Sequence, residues 1–205
     1  MSFENDLKNL KRLFQDSEQQ LTEFNEIVPY EHNPNNIYSP KLVNLLLQIG
    51  PQIEGVTDLI ASKKSLKFES GGVPSRIERI NHNGVLSGFK ITSLLNGLLF
   101  TPFPQKTSWW DTYNNTKHNL SQSQFDITYL SVMDSLAALA ALHRLSDAIK
   151  GTSTENLEYI LDKQYWNKTF EVRIGNQTGS AIGIPPPWKS KTFKISNYFV
   201  YNPDC

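Results

Sequence analysis

A mainly α-helical fold, a four-helix bundle carrying a small β element, follows from three features of the sequence. Apolar residues recur at helical spacing over residues 3–27, 39–62, 108–119 and 123–149. The run Leu136–Leu142 is apolar all round, which marks the last of these helices as the central buried one. Alternating apolar and polar residues at 169–174 and 192–201 read as strands, and two strands alone are marginal. The tail is therefore expected to pack against the segment 85–103. The 205 residues suit one domain, in which 1–150 form the helical bundle with an irregular or β excursion at 63–107. Residues 151–205 add a short helix near 154–165 and a β tail on the same domain.

The first helix is carried by Phe3, Leu7, Leu10, Phe14, Leu21 and Phe24, a stripe that Ser17 interrupts once and Pro29 ends. Ser39-Pro40 is an N-cap followed by proline at the first helical position, so it opens the second helix. Leu42, Leu46, Ile49, Ile53, Val56 and Ile60 form its buried stripe. That spacing continues across Gly50-Pro51, which predicts one kinked helix instead of two. Residues 63–107 contain loop and turn signals at Ser70–Pro74 and Asn81–Gly84, flanked by the extended runs Gly88–Ile91 and Leu98–Phe103. The third helix begins near Ser108, where Ser108-Trp109-Trp110-Asp111 has capping-box spacing; Trp109, Tyr113, Thr116 and Leu120 share a face. The fourth starts near Ser123 and includes Phe125, Tyr129, Val132, Met133, Leu136, Ala140 and Leu145.

Lys and Arg number 20 and so do Asp and Glu, which is not the charge footprint of a general nucleic-acid binder. The charge is unevenly spread. Residues 1–60 carry nine acids and four bases, and residues 61–105 carry two acids and six bases. That pattern fits either electrostatic complementarity within the chain or a local basic patch for phosphate. The single cysteine, Cys205, forms no intrachain disulfide and favours a reducing compartment. The first ten residues lack the apolar core of a secretory signal, and no apolar run approaches membrane-spanning length. A cytoplasmic protein with no membrane partner is expected. Neither a cofactor motif nor a metal-ligand set is readable: phosphate-loop, nucleophile-elbow and zinc-protease signatures are absent. The Asn-x-Ser/Thr triplets at Asn114, Asn119, Asn167 and Asn176 read as chance in an Asn-rich chain.

The chemistry-bearing constellation is Trp109-Trp110-Asp111-Thr112-Tyr113-Asn114-Asn115-Thr116-Lys117-His118. Asn114 and His118 are i and i+4 and so neighbours on a helix; Tyr113 and Lys117 are neighbours on the adjacent stripe. His118 is the group able to exchange protons near neutral pH, Asn114 can orient it, and Lys117 can neutralise a phosphate. His143-Arg144 reads as a charge complement to the end of the last helix.

Trp109-Trp110-x-x-Tyr113-Asn114-x-x-Lys117-His118, the Ala/Leu-rich helix Phe125–Leu145, and Leu45–Glu54 as a preceding helix resemble the HEPN superfamily (higher eukaryotes and prokaryotes nucleotide-binding). The resemblance covers roughly residues 1–62 and 107–150. It implies a helical bundle, often a homodimer pairing through its third and fourth helices, placed in bacterial stress or defence systems. Many such proteins are metal-independent ribonucleases with a motif of Arg, a polar residue, three variable positions and His. Aligned on His118, the polar residue is Asn114, but the Arg position holds Tyr113. A neutral phenol does not stabilise the charge that builds up on a phosphorane. The expectation is therefore a module that binds a protein partner, a nucleotide or RNA. The alternative is a ribonuclease using His118 and Asn114 across a homodimer, with Tyr113, Lys117 and Arg144 on the substrate. The other Arg-x5-His spacing, Arg76 to His82, falls in the segment read as loop and strand.

Overall fold

The computed structural model describes residues 3–28, 37–63, 72–81, 84–87, 89–93, 95, 98–103, 108–150 and 193–196. Among these, helices dominate: α1 (Phe3–Ile27), α2 (Pro40–Lys63), α3 (Val73–Ile80), α4 (Ser108–His118), the single turn α5 (Leu120–Ser123) and α6 (Tyr129–Ile149). Three short strands, β1 (Lys90–Ser93), β2 (Leu99–Phe100) and β3 (Phe193–Ser196), form an antiparallel sheet in the order β2-β1-β3. No described helix is long and apolar enough to cross a membrane.

Helix α6 is the axis of the core. From Leu136 to Leu142 every residue is fully buried against the rest of this one chain, so that run offers no face to a second copy. It packs chiefly on α2 and also touches α1, α4 and β3. The polar interruption in the α1 stripe has a structural partner. Ser17 is buried, accepts a hydrogen bond from Gln52 Nε2 at 2.9 Å and donates to the Leu13 carbonyl at 3.1 Å. A buried hydroxyl satisfied on both sides fixes the register of α1 on α2, while Gln52 Oε1 is buried without a hydrogen bond among the described residues. Helix α2 runs through Pro51 without a break, its start marked by Ser39 Oγ accepting from the Lys41 amide at 3.2 Å.

Two element assignments differ from the sequence expectation. The excursion contains a helix, α3, whose Val73, Ile77 and Ile80 are buried at i, i+4 and i+7. Pro74 lies in its first turn, where the missing amide costs nothing, so the proline opens a helix here. Arg76 pairs with Asp58 of α2 at 2.9 Å, while His82 lies outside the described residues. The second difference is the start of α6, at Tyr129 instead of Ser123. Thr128 accepts from the Ser131 amide at 3.2 Å, and Ser131 Oγ accepts from the Thr128 amide at 3.0 Å. This reciprocal cap is a stronger start signal than the stripe position of Phe125, which is 67% exposed beside Tyr38. Leu120, expected on the Trp109–Tyr113 face, is exposed because α4 ends at His118.

The sheet joins the excursion to the tail. Ile91 lies opposite Phe100 on one side and Ile195 on the other, and the Ser93 amide donates to the Leu98 carbonyl at 2.8 Å to close the β1–β2 hairpin. At the preceding turn Gly84 takes φ 72°, the left-handed conformation that glycine reaches without a steric penalty. The short helix expected near 154–165 and the strand expected at 169–174 lie outside the described residues.

Candidate functional site

Helix α4 divides its side chains sharply. Trp109, Trp110, Tyr113 and Thr116 are buried at i, i+1, i+4 and i+7, while Asn114, Asn115, Lys117 and His118 are exposed. Tyr113 is the keystone of the buried face. Its ring lies directly on Gly50 of α2, the one position of that turn with no side chain to exclude it. One turn along α2, Glu54 faces the same ring. Tyr113 Oη lies 3.4 Å from Glu54 Oε1, Lys117 Nζ lies 3.5 Å from the same oxygen, and the Lys117 ammonium sits 5.6 Å from the Tyr113 ring centroid. Burial, and then the Glu54 charge, push the Tyr113 phenol up from its ordinary value. It stays protonated and is neither a base nor a cation. Tyr113, and then Glu54, raise the Lys117 ammonium, so it stays charged and directed at the carboxylate.

The candidate residues are therefore only partly brought together. Asn114 and His118 share the exposed face as their spacing requires, but among the described residues no hydrogen bond joins their side chains. Tyr113 is buried and faces α2, so it does not line a surface on which a substrate would lie. Lys117 belongs to the Glu54 pair. Arg144 is half-buried on α6, ten residues beyond Asp134, where α6 faces the first turns of α4. At 1.5 Å per residue that is about 15 Å further along the helix. His143 is not the charge complement its position in sequence suggests. It is fully buried, edge-on to Phe14 at 5.3 Å, and burial together with the Lys11 ammonium lowers it to about 3. Lys11 itself pairs with Asp147.

Asp134 has no motif around it, although it is the one charged residue between Tyr129 and Leu142. It lines an open cleft of about 400 Å³ between the first turns of α4, the first turns of α6, and the Leu99–Thr101 segment. Burial alone raises its carboxyl to about 6. No group of three or more His, Cys, Asp or Glu that would hold a metal occurs among the described residues. No known family, curated protein or solved structure matches this chain.

The two displaced groups have opposite effects on stability. The His143 imidazole is neutral when folded and protonates near 6.5 when unfolded, so the unfolded chain binds more protons and stability falls as pH drops below about 6.5. The Asp134 carboxyl protonates near 6 when folded and near 3.8 when unfolded, so its term rises as pH drops through about 6. Each fully developed term has a slope of about 1.4 kcal/mol per pH unit. Between pH 6 and 5 they oppose one another. Melting midpoints of the wild type are expected to change little across that interval. Those of Asp134→Asn should fall with acid and those of His143→Leu should rise. Parallel profiles for the three proteins would show that neither group titrates out of its ordinary range.

Proposed function

We propose that this chain is a binding module of the HEPN type that engages a protein partner through the exposed face of α4 and the turns after it, and that it does not cleave RNA. The observation that carries this reading is the engagement of Lys117 by Glu54. Lys117 is the only lysine or arginine on α4, and the position where the ribonuclease motif has arginine is the buried Tyr113. His118 with Asn114 can move a proton, but in-line attack by a 2′-hydroxyl also needs the added negative charge stabilised. Loss of one preorganised stabiliser typically costs ~10²–10³ in rate. The exposed surface supports the choice of a protein. Asn114, Asn115 and His118 are exposed, as are Leu120 just after α4 and the Tyr38–Phe125 aromatic pair, 5.3 Å between centroids. An exposed face of amides and apolar side chains suits a protein interface, whereas a phosphate backbone calls for a basic one.

The test is cleavage of single-stranded RNA without added metal by wild type and His118→Ala. No difference between the two is expected, with both at background. Robust turnover by wild type that disappears in His118→Ala would replace this reading with that of a ribonuclease.

A further inference from the structure

We propose that the cleft between α4, α6 and β2 is a binding site for a small organic cation, an ammonium or amidinium on an apolar body, held by Asp134. The site lies against Trp109 and Thr112, apart from the exposed Asn114 and His118. The carrying observation is a half-buried carboxyl with no compensation. Among the described residues Asp134 has neither an ion pair nor a hydrogen bond to its side chain. A carboxylate partly withdrawn from water is costly until it is paired. At neutral pH this one is still mostly ionised. A cation settling beside it restores the stabilisation that water no longer gives.

The walls specify the rest of the ligand. Phe100 and Leu130 line the cleft with apolar side chains, and Trp109, almost wholly buried, borders it with its indole N–H already donated to the Pro102 carbonyl at 2.6 Å. The apolar lining suits an aryl or alkyl body beside the charge, and the buried Trp109 reports on occupancy of the cleft. The exposed hydroxyls of Thr101 and Ser108 accept further N–H groups. The cleft volume falls in the range of small-molecule sites, ~300–1,000 Å³. A phosphate or carboxylate ligand would meet the Asp134 charge with its own and is excluded.

Benzamidine, an aryl cation, and benzamide, its neutral counterpart, are suitable probes. The readout is the Trp109 indole N–H resonance, assigned by its loss in Trp109→Phe. Benzamidine is expected to move that resonance saturably, with affinity at least tenfold greater than benzamide's. Asp134→Asn should lose the difference between the two probes. At pH 5 wild type should bind benzamidine about tenfold more weakly than at pH 7.5, because the carboxyl is then protonated. Ser108, Trp109 and Thr112 of α4 and Leu99–Thr101 do not titrate in that interval, and His143, about 13 Å along α6, has its pKa near 3. The pH arm reads the same carboxyl without any substitution, so the outcome does not depend on how the variant folds. Equal binding of the two probes overturns the proposal. So does a pH-independent affinity, an unchanged preference in a folded Asp134→Asn, or no saturable shift with benzamidine up to about 10 mM.

Discussion

Gly50→Ala is expected to destabilise the protein by about 2–3 kcal/mol, although alanine is the better helix former by roughly 1 kcal/mol. The sign is decided by space. A Cβ on Gly50 would stand closer than 3.0 Å to the Cδ2, Cε2 and Cζ atoms of Tyr113, inside the range that real contacts occupy. The ring cannot swing clear cheaply. It is 2% exposed, lies against Trp110 at 5.0 Å between centroids, and is covered by the Lys117 ammonium. Helix α4 would have to lift from α2, which separates Lys117 from Glu54 as well. The diagnostic is the double variant. In a Tyr113→Ala background the clash is gone, and Gly50→Ala should then be neutral or stabilising by up to about 1 kcal/mol. Urea titrations of the four proteins measure this cycle. If Gly50→Ala costs the same with and without the Tyr113 ring, the contact does not set the helix spacing.

That contact also shows where reading the sequence stops. The bounds of α1, α2 and α4 were legible because each rests on a long stripe with local end signals, such as Ser39-Pro40, that act within a few residues. Helix α3 was missed because its eight residues give only Val73, Ile77 and Ile80 as a stripe, and Gly-Gly before Val-Pro is as much a loop signal as a helix start. The onset of α6 was placed too early because Phe125 fits the spacing. Spacing cannot tell whether the chain is already helical, whereas the Thr128–Ser131 cap does. On α4, the exposure of Asn114 and His118 followed from the aromatic face opposite them. What Lys117 does is not legible, because Glu54 reaches it only through the docking of two helices, the paired residues lying 63 apart in the chain. Asp134 could have been singled out as a lone charge in an apolar helix. Its cleft, however, is made by α4 and the Leu99–Thr101 segment, which no local pattern brings together.

Trp109→Ala should cost about 3–5 kcal/mol, the range for emptying a large aromatic site in a core. Trp109 is 1% exposed and meets Phe103 edge-on at 6.2 Å and Trp110 at 6.1 Å between centroids. Its Nε1–H also satisfies the Pro102 carbonyl, so truncation leaves both a void and an unpaired acceptor. Against a total stability of about 5–15 kcal/mol this is a large share. A melting midpoint lower by roughly 10 °C is expected for a chain of this size. Trp109→Phe separates the two contributions. It keeps most of the packing and loses the hydrogen bond, and should cost about 1–3 kcal/mol. An unchanged midpoint in Trp109→Ala would mean that the indole is not an anchor. Trp109 and Tyr113 are one helical turn apart and both rest on Trp110, so their effects should not add. Once either is truncated, α4 is held by one aromatic instead of two and Trp110 loses a wall. The double variant Trp109→Ala/Tyr113→Ala should therefore lose less than the sum of the singles, by about 0.5–3 kcal/mol. Strict additivity would instead describe two independent anchors, one fixing the segment after β2 at Pro102 and the other fixing α2 at Gly50.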